Sequence, residues 1–109
     1  MKKGLLCLLL LLTAFYSFAQ KKPLVVFVTG DHEYGGEQTL PLIAAELEKN
    51  YGIQTKVLKA YPNQNAEKNI PGLESLKDAD LAIFYLRWRQ LPPVDAQQLR
   101  AIARDTWRY

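Results

Sequence analysis

The stretch that constrains this chain most is Leu24-Val25-Val26-Phe27-Val28-Thr29, an apolar, mostly β-branched run that passes directly into the loop Gly30-Asp31-His32-Glu33-Tyr34-Gly35-Gly36. A helical pattern follows from about Glu37 to Tyr51. A run with no polar interruption fits a strand covered on both faces, which is the habit of parallel sheets. Strand, polar loop and helix in that order open an α/β domain. In open α/β sheets the ligand crevice lies outside the carboxyl ends of the strands. The loop after this run carries Asp31, His32, Glu33 and Tyr34, with Glu37 opening the helix. A site is therefore expected there.

The rest of the chain extends the pattern. Leu40, Ile43, Ala44, Leu47 and Tyr51 form one apolar stripe on the first helix, and Gly52 suits its C-terminal cap. Pro41 fits that helix only within the first turn, where a missing N–H costs nothing. Ile53 to Leu58 reads as a second strand, and its polarity places it toward a sheet edge. Tyr61 to Asn69 is a polar loop, with Asn63-Gln64-Asn65 read as a solvated connection. Ile70 to Lys77 is a short connection or single helical turn anchored by Leu73 and Leu76. Leu81 to Leu86 is a third strand as apolar as the first, with Tyr85 in the core, and Arg87-Trp88-Arg89-Gln90 at its carboxyl end. Pro92-Pro93 opens a last helix with a weaker stripe of Leu99, Ile102, Ala103 and Thr106. Right-handed crossovers place the first strand between the other two, an order of 2-1-3. The expected class is α/β: a three-layer, flavodoxin-like, doubly wound parallel sheet, truncated after three strands. The third strand would then be an exposed apolar edge, open to homo-oligomer formation. The tail Thr106-Trp107-Arg108-Tyr109 is expected to lie outside the native reading frame of such a domain.

The N-terminus reads as an export signal. Lys2-Lys3 is a positive start, Leu5 to Leu12 an apolar core, and Ser17-Phe18-Ala19 presents small residues to a signal peptidase. The expected cut between Ala19 and Gln20 makes 1–19 a signal peptide and 20–109 the domain, placed in the periplasm or secreted. The apolar core is short for a bilayer-spanning helix, which needs about 20 residues, so no stable membrane association is expected after cleavage. Cys7, the only cysteine, lies in the removed part, leaving neither a disulfide nor a thiol nucleophile. The formal charge of +3 falls to about +1 without Lys2 and Lys3, at 12 basic and 11 acidic residues. A body so near neutral gives no electrostatic footprint for nucleic acid.

The first loop has the GxxxxG spacing of a phosphate cradle in Gly30 and Gly35, but Gly36 and Glu37 stand where Lys and Ser or Thr are needed. Three carboxylates, Asp31, Glu33 and Glu37, also disfavour a phosphate. They suit a neutral polyol, whose hydroxyls donate to carboxylates while Tyr34 and Trp88 stack on a sugar face. Asp31-His32-Glu33 lacks the second histidine of HExxH, and no metal or other cofactor is expected. His32 is either a loop residue bonded to backbone or a general acid/base. Strand alternation aims Arg87 and Arg89 one way and Trp88 the other. One of the two arginines can pair with Asp31 or Glu33 and shape the loop, as readily as either can touch a ligand.

Thr29-Gly30-Asp31-His32-Glu33-Tyr34 and Glu37-Gln38-Thr39-Leu40-Pro41, together with Asp80 to Pro92, resemble the ThuA-like (trehalose-utilisation-type) family. The resemblance covers about Leu24 to Arg100, the N-terminal part of a full domain. It implies a fold similar to class I glutamine amidotransferases and a secreted protein of carbohydrate metabolism. It also implies a pocket near Asp31, His32, Glu33 and Arg87. The amidotransferase cysteine and its elbow are lacking, so that activity is not implied. The expected function is binding or processing of a sugar, with His32 as acid/base and Asp31, Glu33, Tyr34, Glu37, Arg87, Trp88 and Arg89 as ligand contacts. The alternatives are a noncatalytic carbohydrate-binding or interaction module and an inactive gene fragment.

Overall fold

The computed structural model describes residues 2–18, 21–93, 95, 97 and 99–101. Helix α1 spans Lys2–Phe18, and its side chains from Lys2 to Leu12 are all exposed. Among the described residues no helix is long and apolar enough to cross a membrane. The expected Ala19–Gln20 junction lies outside the described residues, as do Ile102, Ala103, Thr106 and the tail to Tyr109.

Strand β1 (Leu24–Gly30) is buried at every position. It lies between β2 (Gln54–Leu58) and β3 (Leu81–Leu86) in a parallel sheet of order β2-β1-β3. Two layers explain the apolar run. Val25 and Phe27 pack with Ala44, Leu40 and Leu47 of helix α2 (Gly36–Tyr51), while Val26 and Val28 pack on the opposite face with Leu58, Ile70, Leu73 and Leu76. A 3-10 turn, Leu73–Asp78, supplies Leu73 and Leu76 of that second layer. The described residues between 93 and 101 are helical, and Leu91 and Leu99 reach the same cluster. Polar ties fix the frame: Thr29 Oγ1 donates to the Leu58 carbonyl at 2.8 Å, and the Leu24 N–H donates to Asp80 Oδ2 at 2.8 Å.

The fold differs from the sequence expectation in particulars. Helix α2 starts after Gly35, so Pro41 falls in the second turn, where it removes the bond a residue there would give the Glu37 carbonyl. Tyr51 and Ile43 belong to the apolar stripe by spacing, yet they are 70% and 50% exposed. The reason is placement: among the described residues α2 packs over β1 and β2 rather than over β3, which it meets at Gly36 beside Tyr85. Tyr85, expected in the core, is 39% exposed for the same reason. The edge position of polar β2 and the apolar, half-open edge of β3 follow the sequence reading.

Candidate functional site

Gly30 and Leu86 are register partners at the ends of β1 and β3, so the loops that leave them start side by side. The loop after β2 comes up to the same end: the Ala60 N–H donates to Glu37 Oε1 at 3.0 Å, and the Gln90 N–H donates to the Glu67 carbonyl at 2.8 Å. Three loops thus form one rim at the carboxyl ends of the strands.

Asp31 is the inward-facing member of its loop, at 1% exposure. Its Oδ2 accepts the Tyr34 N–H at 2.6 Å and its Oδ1 the Gly36 N–H at 3.0 Å. One carboxylate therefore closes the loop and satisfies an N–H at the start of α2, where negative charge is favoured. The chain is tight here. Gly35 has φ 70°, the left-handed region, and a Cβ on Gly36 would lie 2.5 Å from the Tyr85 ring and 2.8 Å from Asp31 Oδ1.

Glu33 points the other way, to the exposed side. Its Oε2 is 2.9 Å from Arg87 Nη1 and its Oε1 accepts from Trp88 Nε1 at 3.2 Å. The Arg87 guanidinium also donates to the Tyr34 hydroxyl and lies 5.1 Å from the Tyr34 ring centre and 5.3 Å from that of Trp88. Tyr34 and Trp88 remain more than half exposed. The expected opposition of Arg87 and Trp88 is not found. β3 ends at Leu86, and Trp88 has φ 58°, so strand alternation no longer applies and both side chains converge on Glu33.

Arg89 is the tie between loops. Its Nε donates to the Gly30 carbonyl and, at 3.1 Å, to that of Arg87. Its Nη1 donates to the Ala66 carbonyl at 2.6 Å and its Nη2 to the Gln64 carbonyl at 3.0 Å. Nη2 also lies 3.3 Å from His32 Nδ1. The Asn63-Gln64-Asn65 segment, read from sequence as a solvated connection, is thereby pinned through its backbone.

Several hollows flank this cluster, and two of them reach the loop after β1. One of about 470 Å³ is lined by His32, Glu33, Glu67, Trp88, Arg89 and Gln90. A smaller one, about 190 Å³, is lined by Asp31, Tyr34, Tyr85, Leu86 and Arg87. All eight residues expected from sequence lie on this rim. Glu37 is the one that lines neither hollow, since its carboxylate is engaged by the Ala60 N–H. Glu67 was missed. It lies in a polar loop, 34 residues after Glu33, with no local pattern around it to mark it. Among the described residues no group of three or more His, Cys, Asp or Glu side chains is placed to hold a metal ion. Compared with family models, curated proteins and solved structures, the chain matches none.

Proposed function

We propose that this is an exported ThuA-like α/β domain that binds a neutral sugar for carbohydrate utilisation in the crevice at the carboxyl ends of β1, β2 and β3. The observation that carries the reading is Trp88, 59% exposed on a hollow that also holds His32, Glu33, Glu67 and Gln90. An open indole beside hydrogen-bonding side chains suits a pyranose, which presents an apolar C–H face and a ring of hydroxyls. The Arg87 guanidinium is joined to Glu33, so it offers little net attraction to an anionic ligand. In this reading the exposed leucines of α1 belong to the export signal, and the domain acts in the periplasm or outside the cell.

The carboxylates of Asp31, Glu33 and Glu37 are all engaged by protein N–H groups, so the reading is one of binding and assigns none of these three an acid–base role. The test is calorimetric titration of the full chain with methyl glucoside and trehalose, followed by chromatography of the mixture for products. Binding weakened about tenfold or more in Trp88→Ala supports the reading, since aromatic stacking is worth about 0.5–1.5 kcal/mol beyond the area it buries and about 1.4 kcal/mol is tenfold in affinity. Absence of binding to either sugar, or equal binding by the variant, overturns it. New products would show that the site also processes its ligand.

A further inference from the structure

His32 and Glu67 line the same hollow, and their hydrogen-bonding roles follow from their neighbours. A guanidinium has donors only. With Arg89 Nη2 3.3 Å from His32 Nδ1, that ring nitrogen is the acceptor and the proton of the neutral ring is on Nε2. Arg89 is itself fixed by the carbonyls of Gly30, Gln64 and Ala66, so it cannot turn to suit another tautomer without breaking the loop ties. His32 then offers the hollow an N–H donor and no lone pair. Of the acidic side chains on the rim, Asp31, Glu33 and Glu37 accept bonds from the protein. The Glu67 carboxylate, half-buried, has no hydrogen bond or ion pair to any described residue.

We infer that Glu67 and His32 form an acceptor–donor pair for a ligand hydroxyl or vicinal diol, with Arg89 the positioning residue that sets the His32 tautomer. Glu67 accepts from one hydroxyl, and His32 Nε2–H donates to the same or the adjacent oxygen. Any proton abstraction at this site falls to Glu67, not to His32. The ligand class rests on the sugar reading above, whereas the tautomer is independent of it.

Two measurements separate the parts. The chain has a single histidine, so the imidazole nitrogens of the ¹⁵N-labelled full chain give one unambiguous pair of signals. At about pH 8, where an ordinary histidine is neutral, the expected spectrum has a protonated Nε2 and a lone-pair Nδ1, shifted from the tautomer mixture of a blocked histidine peptide. A proton on Nδ1, or a spectrum equal to that of the peptide, overturns the role of Arg89. In titrations with methyl glucoside and trehalose, Glu67→Gln is expected to bind about tenfold or more weakly, the loss of a charge-assisted bond. Glu74→Gln, on the 3-10 turn, is expected to match the parent. If the parent binds sugar and Glu67→Gln binds equally well, the pairing is wrong and the sugar reading stands. If the parent binds neither sugar, the sugar reading fails and the role given to Glu67 fails with it, whatever the tautomer.

Discussion

Replacing Asp31 by Ala separates a framework role from a ligand role. The substitution leaves the N–H groups of Tyr34 and Gly36 without their acceptor. Gly36 is buried, so water does not replace the carboxylate there; Tyr34 lies closer to the surface. A buried donor stranded in this way costs about 1–3 kcal/mol, and bonds to a charged group lie at the upper end. Allowing partial solvation at Tyr34, the loss is about 2–4 kcal/mol. A domain of this size shifts its Tm by about 4–8 °C per kcal/mol, so a drop of at least about 8 °C is expected. The assay is thermal unfolding followed by far-ultraviolet circular dichroism, with urea unfolding to check that the m-value is unchanged. Asp31→Asn should fall between parent and Ala, because an amide keeps one acceptor oxygen and turns a donor toward the other N–H. A Tm within about 2 °C of the parent for Asp31→Ala, joined to loss of sugar binding, would refute the framework assignment and make Asp31 a ligand contact.

Three further outcomes are expected. Gly36→Ala places its Cβ 2.5 Å from the Tyr85 ring, and such overpacking costs about 1–3 kcal/mol; combining it with Tyr85→Ala should recover part of the loss in a double-mutant cycle, and strict additivity would count against the contact. Arg89→Lys should not rescue Arg89→Met, because an ammonium cannot span the carbonyls of Gly30, Gln64 and Ala66 as a planar fork does; hydrogen exchange at residues 64–69 should rise in both variants, and unchanged protection in the lysine variant would contradict this. Ile83→Lys should reduce self-association in sedimentation velocity while leaving Tm within about 2 °C. β3 is an uncharged edge strand whose Ile83 is already 36% exposed, so a second copy meets no like charge there; equal sedimentation of parent and variant at high concentration would refute it.

The sheet was legible because its signals are local. Leu24 to Val28 carries its own burial requirement, and only a strand between two partners, covered on both faces, meets it. Leu81 to Leu86 coincides with β3 residue for residue. Tyr85 and Ile43 were misjudged because spacing records which face a side chain occupies, not whether a neighbouring element reaches over it. Their exposure depends on α2 lying over β1 and β2, a tertiary fact. The rim was half legible. Asp31, Glu33 and Arg87 stand in or beside the loops where an α/β crevice forms. Which of them faces inward depends on the left-handed turns at Gly35 and Trp88, and a non-glycine residue with positive φ gives little sequence warning. Arg89 illustrates the limit: its partners are backbone carbonyls, which every residue has, so no side-chain pattern announces them.

The distribution of bonds on the rim bears on chemistry as well as stability. Asp31, His32 and Glu33 are adjacent in sequence, yet their side chains serve different ends: Asp31 turns inward to the loop backbone, His32 toward Arg89, and Glu33 outward to Arg87 and Trp88. Three consecutive polar residues therefore do not make a triad. Glu33 lies on an exposed ion pair, and such a pair is worth at most about 1 kcal/mol, so a ligand hydroxyl can compete for its carboxylate at little cost. Asp31 cannot be recruited in that way, because drawing its carboxylate into the hollow would strand two N–H groups. On the proposed reading, a ligand entering beside Trp88 would meet a donor in His32, an acceptor in Glu67, whose carboxylate has no partner among the described residues, and an exchangeable acceptor in Glu33. A polyol, whose every hydroxyl both gives and takes a hydrogen bond, can satisfy all three at once, whereas a carboxylate or phosphate would meet the two acidic side chains with nothing to donate.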